Sequence, residues 1–142
     1  TYVPVTFGQG QLSIPPGFLD YTLIEQTGNL YPSPDSLCGD GVFSGVLEYQ
    51  LPAGTENLDI ETLTLHIADR EWWSGTPTIS LYDWQEESWQ AIEDTATQKE
   101  IVEDVGHYVR PAERTIRIKI ENDTQNTGGC LFLNISLKGV NR

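Results

Sequence analysis

TIRIKIENDTQNTGGCLFLNISLK, residues 115–138, decides the fold class of this chain. Isoleucine alternates with basic residues in its first part, and leucine or isoleucine alternates with other residues from 131 to 137. A period of two is typical of a strand with one buried face. The segment between the two parts is rich in Asn, Asp, Thr and Gly, which predicts a turn or loop. Two such strands need a second layer to bury their apolar faces, so the stretch predicts a two-sheet β protein.

The same alternation predicts further strands at 42–51, 58–67, 78–84 and 89–92. The last two form a hairpin in which Trp84 and Trp89 are expected to pair across the strands. Residues 70–75 are predicted to form a loop, and 96–105 fit a short amphipathic helix. The first 40 residues are predicted to be irregular apart from short strands such as 12–14. Seven to nine short strands with polar turns indicate one antiparallel β-sandwich domain over residues 1–142.

The charge balance of the chain limits the classes of partner that it can bind. The chain has 21 acidic and 8 basic residues and a net charge of −13. Such a surface repels phosphate backbones and anionic lipid, so we expect no nucleic-acid partner. No apolar run reaches the roughly 20 residues that span a bilayer, so we expect no membrane insertion by this segment. The chain has no Met and begins with Thr1, so we expect a mature form or a domain cut from a larger extracytoplasmic protein.

Two cysteines, Cys38 and Cys130, each begin or precede a predicted strand. They can form one disulfide that closes a long loop, which would stabilise the fold by roughly 4 kcal/mol. The alternative is two separate free thiols. We favour the disulfide because the rest of the chain is typical of an extracytoplasmic protein.

A family resemblance emerges from the second half of the chain. The hairpin Y-D-W-Q-E-E-S-W at 82–89 is followed by Tyr108 and by I-R-I at 116–118. This order resembles the latter half of galactose-binding-like jelly-roll domains, which occur in secreted and surface proteins. The resemblance covers roughly residues 58–138. It implies a jelly-roll β-sandwich, an extracellular or cell-surface location and, by analogy of fold, a binding role.

Trp72 and Trp73 are the candidate ligand-binding residues, together with Arg70 and Glu71. Exposed tryptophans in a sandwich loop suit stacking on sugar rings, and the two charged neighbours can bind hydroxyl groups. Tryptophan is usually largely buried in soluble domains. We therefore give more weight to the alternative, in which one tryptophan caps the core and the other lies half-buried under a loop.

The acidic loops offer a candidate calcium site. Asp35 and Asp40 flank a Gly-containing loop before the strand at 42–51, and Asp123 lies in the loop that leads to Cys130. Jelly rolls of the resembled type often hold a structural calcium, and carboxylates are the oxygen ligands that this ion prefers. The alternative is ordinary solvated turn acids, which we prefer because no EF-hand spacing exists.

Nucleophilic catalysis has little support, since the chain has no Gly-x-Ser-x-Gly motif. His66 is predicted to be solvated or hydrogen-bonded on the polar face of its strand. We therefore expect a non-catalytic accessory module of a secreted or surface protein, with carbohydrate as the leading ligand. A structural or protein–protein interaction module is the first alternative. A small carboxylate-dependent glycoside-acting enzyme is the second, and it would need two carboxylates that converge in a cleft.

Overall fold

A computed structural model describes residues 10–15, 18–19, 21–32, 37–72, 78–92, 98–122 and 128–142, and for 32, 67–72, 98, 128 and 131–132 it describes the backbone alone. The strands of these residues are β1 (Gly10–Ile14), β2 (Tyr21–Pro32), β3 (Leu37–Gln50), β4 (Leu58–Trp72), β5 (Thr78–Asp83), β6 (Ser88–Ile92), β7 (Gln98–Ile101), β8 (Thr115–Asn122) and β9 (Gly128–Asn141). A 3₁₀ helix at Val105–Tyr108 precedes β8. The predicted all-β fold with two antiparallel sheets is confirmed, whereas the jelly-roll connectivity stays a prediction.

The two sheets are joined at a corner through which β3 passes, with β2 paired alongside it. The first sheet has the order β6–β5–β8–β3–β2, and the second has the order β7–β4–β9–β1. Every described pairing is antiparallel. Residues 43–50 of β3 pair with β8, whereas residues 37–40 pair with β9 of the other sheet. The strand therefore turns the corner that joins the two layers.

The corner in β3 depends on two glycines. The register with β2 runs from Gly28 opposite Phe43 directly to Asn29 opposite Asp40, so two residues of β3 bulge out. Gly28 has φ 71° and Gly41 has φ 62°, a region that side chains with a Cβ rarely adopt. A Cβ on Gly28 would lie 2.1 Å from the carbonyl oxygen of Val42. A bulge of this kind bends a strand and increases its twist.

The core lies between the two sheets and comes from the alternation seen in the sequence. Ile116, Ile118 and Ile120 of β8 are fully buried, and Leu133, Ile135 and Leu137 of β9 face them from the other layer. Residues of β3, β4 and β5 also contribute to the core, among them Phe43, Leu47, Tyr49, Leu63, Leu65, Ile79 and Leu81. Burial of each such side chain stabilises the fold by about 1.5–3 kcal/mol.

Tyr49 connects the two layers through the middle of the core. Its side chain is completely buried, and its hydroxyl donates a hydrogen bond of 3.0 Å to the carbonyl oxygen of Leu133 in β9. A buried hydroxyl without a partner would cost free energy, so this contact also fixes how the two sheets are placed.

Cys38 and Cys130 form a disulfide, as predicted. The two residues are direct register partners at the point where β3 pairs with β9. Their Cα atoms lie 4.1 Å apart, and 92 positions separate them in sequence. The bond therefore fastens the corner of β3 to the second sheet.

Two elements differ from the sequence-based expectations. The supposedly irregular first part contains the twelve-residue β2, whose pairing with β3 is interrupted by bulges. The helix predicted at 96–105 is wrong, because Gln98–Ile101 forms β7 and pairs with Leu63–His66 of β4. The pairing with β4 overrides the weak helical pattern, as tertiary contacts commonly do.

Removal of the disulfide is expected to lower the free energy of unfolding by about 4 kcal/mol, because a link across 92 positions restricts the unfolded chain. The measurement is urea unfolding of the oxidised protein and of Cys38→Ser/Cys130→Ser. Adding a thiol reductant to the double variant is the control and should change nothing. Equal unfolding midpoints for the two proteins would contradict the expectation.

Gly139→Ala is expected to destabilise the fold by about 3 kcal/mol through overpacking. A Cβ at this position of β9 would lie 2.1 Å from the backbone oxygen of Asp59, which cannot move cheaply. Gly106→Ala is the matched control, since a Cβ there has no atom within 4 Å. Thermal and urea unfolding of both variants measure the difference, and similar losses in the two would refute the steric explanation.

Candidate aromatic binding face

The outer surface of the first sheet carries a group of aromatic and cationic side chains. Tyr82 points away from the core, because its neighbours Leu81 and Asp83 are buried. The register places Trp89 of β6 directly opposite Tyr82. Arg117 and Lys119 project from the outer side of β8, opposite to its buried isoleucines. We call the following six residues the aromatic face: Tyr82, Trp84, Trp89, Arg110, Arg117 and Lys119.

Tyr82 lies between the two tryptophans. Its ring centroid is 4.6 Å from that of Trp84 and 5.0 Å from that of Trp89, and both ring pairs meet edge to face at 72°. All three rings are half-buried. The predicted direct pairing of Trp84 with Trp89 is wrong, because β5 ends at Asp83 and Tyr82 is the cross-strand partner of Trp89.

Three cationic side chains lie over the indole rings. Cζ of Arg110 is 4.8 Å from the ring centroid of Trp84, and Cζ of Arg117 is 5.0 Å from it. Nζ of Lys119 is 4.8 Å from the ring centroid of Trp89. Each contact contributes about 0.5–1 kcal/mol at an exposed site. Three of the 8 basic residues of the chain therefore gather on one surface.

Each of these cations also has a carboxylate partner. Glu48 of β3 is the register partner of Arg117, so their ion pair links neighbouring strands. The side chains are partly exposed, and solvent weakens such pairs. The nitrogen-to-oxygen distances are 2.7 Å for Arg117–Glu48, 3.1 Å for Arg110–Glu113 and 4.0 Å for Lys119–Glu121. Three neighbouring carboxylates thus balance the three cations of the aromatic face.

The turn after β5 holds Trp84 in place. Oδ1 of the buried Asp83 accepts hydrogen bonds of 2.9 Å from the backbone N–H groups of Gln85 and Glu86. A short polar side chain commonly stabilises a turn in this way. The backbone N–H of Trp84 donates to the carbonyl oxygen of His107 at 2.7 Å. Trp84 is therefore fixed to both the hairpin and the 3₁₀ helix.

Two buried polar atoms lack a hydrogen-bond partner in the part of the chain that the structure describes: Nε1 of Trp84 and Oγ1 of Thr115. Trp84 follows the last residue of β5, and Thr115 begins β8, the strand that pairs with β5. Both therefore lie at the same end of one ladder, and Trp84 belongs to the aromatic face. An unpaired buried polar group costs about 1–3 kcal/mol.

An acidic groove of about 370 Å³ lies beside Asp83. Its lining residues are Asp83, Lys99, Glu100, Ile101, Val102, Glu103, Asp104 and Tyr108. Burial raises the pKa of the Tyr108 phenol, and the negative charges of Asp83 and Asp104 raise this pKa further. The groove therefore favours neutral or cationic groups.

The predicted sugar site is only partly described. Arg70, Glu71 and Trp72 do not lie in a loop, because β4 continues to Trp72 and pairs there with Gly129 of β9. The loop prediction is wrong for these three residues. Trp73 lies outside the described residues. Binding of a ligand by this group stays a prediction.

The predicted calcium ligands are not brought together by what the structure describes. Asp40 lies half-buried at the corner of β3, paired in register with Asn29 and Gly128. Asp35 and Asp123 lie outside the described residues. Within the described ranges, no group of three or more His, Cys, Asp or Glu side chains has an arrangement that could hold a metal ion. Calcium binding by the three aspartates stays a prediction.

His66 has the hydrogen-bonded role that the sequence indicates. Its Nε2 lies 2.7 Å from Oγ of Ser136 on the outer surface of the second sheet. The backbone partners of His66 are Asn134 and Gln98. This side-chain hydrogen bond links β4 to β9.

The aromatic face combines residues that the sequence presents separately. The alternation places Tyr82 and Arg117 on polar sides of their strands, but it does not say that β5 pairs with β8. Arg110 lies in a loop, where no periodicity exists to orient it. The signal that was available is the concentration of basic residues at 110–119 in an acidic chain.

Comparisons with known proteins give a family and no function. A family described as Domain of unknown function (DUF8815) matches residues 13–139. The searches of curated proteins and of solved structures each returned no match. The described part of the chain holds no helix with the length and apolarity that a membrane crossing requires.

Asp104→Asn is expected to lower the pKa of Tyr108, because it removes one of the charges that oppose ionisation of the phenol. The pKa of Tyr108 in the folded state lies above its ordinary value of 10.0, so Tyr108 contributes stability that is complete below pH 10.0 and is lost as pH rises through the folded pKa. Ultraviolet titration of the tyrosines measures the shift. Tyr108→Phe identifies the transition, and an unchanged midpoint in Asp104→Asn would contradict the electrostatic cause.

Proposed function

Because this chain belongs to the family described as Domain of unknown function (DUF8815), whose description assigns no activity, we propose a function from the aromatic face. The protein is a non-catalytic accessory module of a secreted or surface protein, and it binds carbohydrate. The observation that carries this proposal is the row of Tyr82, Trp84 and Trp89 on the outside of a sheet, with cationic side chains over both indole rings.

Sugar rings suit such a surface for a physical reason. One face of a pyranose carries C–H groups and packs on an aromatic ring, while its hydroxyl groups need polar partners at the edge. Trp89 and Tyr82 offer half-buried rings, and Arg117 and Glu48 offer a donor and an acceptor on neighbouring strands. A rigid sheet holds these groups in fixed positions, which reduces the entropy cost of binding.

The location and the fold family in this proposal have observations of their own in support. An extracytoplasmic location fits the Cys38–Cys130 disulfide, because such bonds persist mainly in oxidising compartments. The galactose-binding-like jelly roll belongs to the proposal as well, since it agrees with an all-β sandwich and explains a binding role by analogy.

Two alternatives have a specific observation in their favour. Arg110 and Arg117 both lie over the ring of Trp84, so this ring already makes two contacts within its own chain. Such internal contacts are expected of a structural or protein-contact module. The acidic groove beside Asp83 gathers four carboxylates, which favours a glycoside-acting enzyme. Release of reducing ends from the glycans tested below would support the enzyme.

Trp89→Ala is expected to weaken binding of a neutral oligosaccharide about tenfold, or about 1.4 kcal/mol, because it removes a stacking surface. Titrations followed by tryptophan fluorescence and calorimetry use gluco-, manno-, xylo- and galacto-oligosaccharides. Gln90→Ala is the matched control, because Gln90 is an exposed neighbour on β6 that lies opposite Leu81. Circular dichroism shows whether each variant keeps its fold.

The outcomes separate the two possible sugar sites. Loss of binding in Trp89→Ala with retention in Gln90→Ala supports the aromatic face. Loss only in Trp72→Ala/Trp73→Ala would move the site to the position first predicted from the sequence. The absence of binding to every glycan would overturn carbohydrate as the ligand and favour the protein-contact alternative.

A further inference from the structure

We infer that the aromatic face binds uncharged saccharides and rejects acidic ones. This inference rests on the proposed function and adds the chemical class of the ligand. It follows from the charges on the face, from the pattern of donors and acceptors, and from the charge of the rest of the chain.

The first observation is that no cation on the face is left without a carboxylate. Arg117 and Glu48 face each other across β8 and β3 at 2.7 Å, and Arg110 lies 3.1 Å from Glu113. An acidic sugar would have to displace or approach these carboxylates, and two like charges in proximity repel. A sugar without charge meets no such opposition.

The second observation concerns hydrogen bonding. A guanidinium group only donates, and a carboxylate only accepts, so a paired Arg and Glu present both functions side by side. A sugar hydroxyl both donates and accepts, and it can therefore bridge Arg117 and Glu48. A sugar carboxylate accepts only, and it would leave Glu48 without a donor.

The third observation is the field of the whole chain. The three ion pairs on the face cancel, so the net charge of −13 comes from the rest of the molecule. This charge repels polyanions as they approach over a screening distance of about 8 Å at physiological salt. Uncharged glycans are unaffected.

The test compares each neutral polysaccharide of a panel with its carboxymethylated form, using affinity electrophoresis and calorimetry on the intact chain. We expect the neutral form to bind at least about tenfold more tightly, and its affinity to change less than about twofold between about 0.05 M and 0.5 M salt. Glu48→Gln is expected to weaken the neutral ligand and strengthen the acidic one, because it frees the charge of Arg117. Glu61→Gln makes the same charge change at an exposed position of β4 and is the matched control.

The outcomes distinguish the preference for uncharged saccharides from carbohydrate binding itself. A preference for the neutral form that Glu48→Gln reduces and Glu61→Gln leaves unchanged supports the inference. Equal or tighter binding of the carboxymethylated form overturns the inference and leaves carbohydrate binding intact. No change in preference in Glu48→Gln also overturns it. Failure of both forms of every glycan to bind overturns the proposed function and the inference together.

Discussion

The whole structure depends on β3 taking part in both sheets. Its residues 43–50 lie between β8 and β2, and its residues 37–40 reach β9 of the other layer. The bend between these parts requires left-handed backbone at Gly28 and Gly41. The side chain of Asn122 in β8 stabilises the bend, because its Nδ2 donates a hydrogen bond of 2.6 Å to the carbonyl oxygen of Gly41. Because β3 determines the position of β8, it also determines where the outward side chains of β8 meet those of β5.

The fold could be predicted where one face of a strand is buried and the other is not. The isoleucines of β8 and the apolar residues of β9 follow that pattern, and the structure buries them in opposite layers. The pattern fails at β2, because its bulges interrupt the alternation and several of its residues are exposed. It fails again at β7, a four-residue strand whose conformation follows from its neighbour β4 rather than from its own sequence.

The candidate site was harder to predict than the fold, because it depends on pairing between distant strands. The sequence indicates the adjacent Trp72 and Trp73 as ligand-binding residues. The rings that the structure brings together come instead from positions 82, 84 and 89. The cations that join them come from β8 and from the preceding loop. Composition shows which residue types are available, and only the register shows which of them meet.

The disulfide at the corner of β3 has a mechanical consequence. It offers a covalent path from Cys38 directly to Cys130, so a pull on the chain outside these two residues is carried by the sulfur bridge. Every residue between them belongs to a closed ring that tension cannot lengthen. The aromatic face lies entirely inside this ring, at positions 82–119. Tension on the flanking chain therefore cannot extend the part of the backbone that carries this surface.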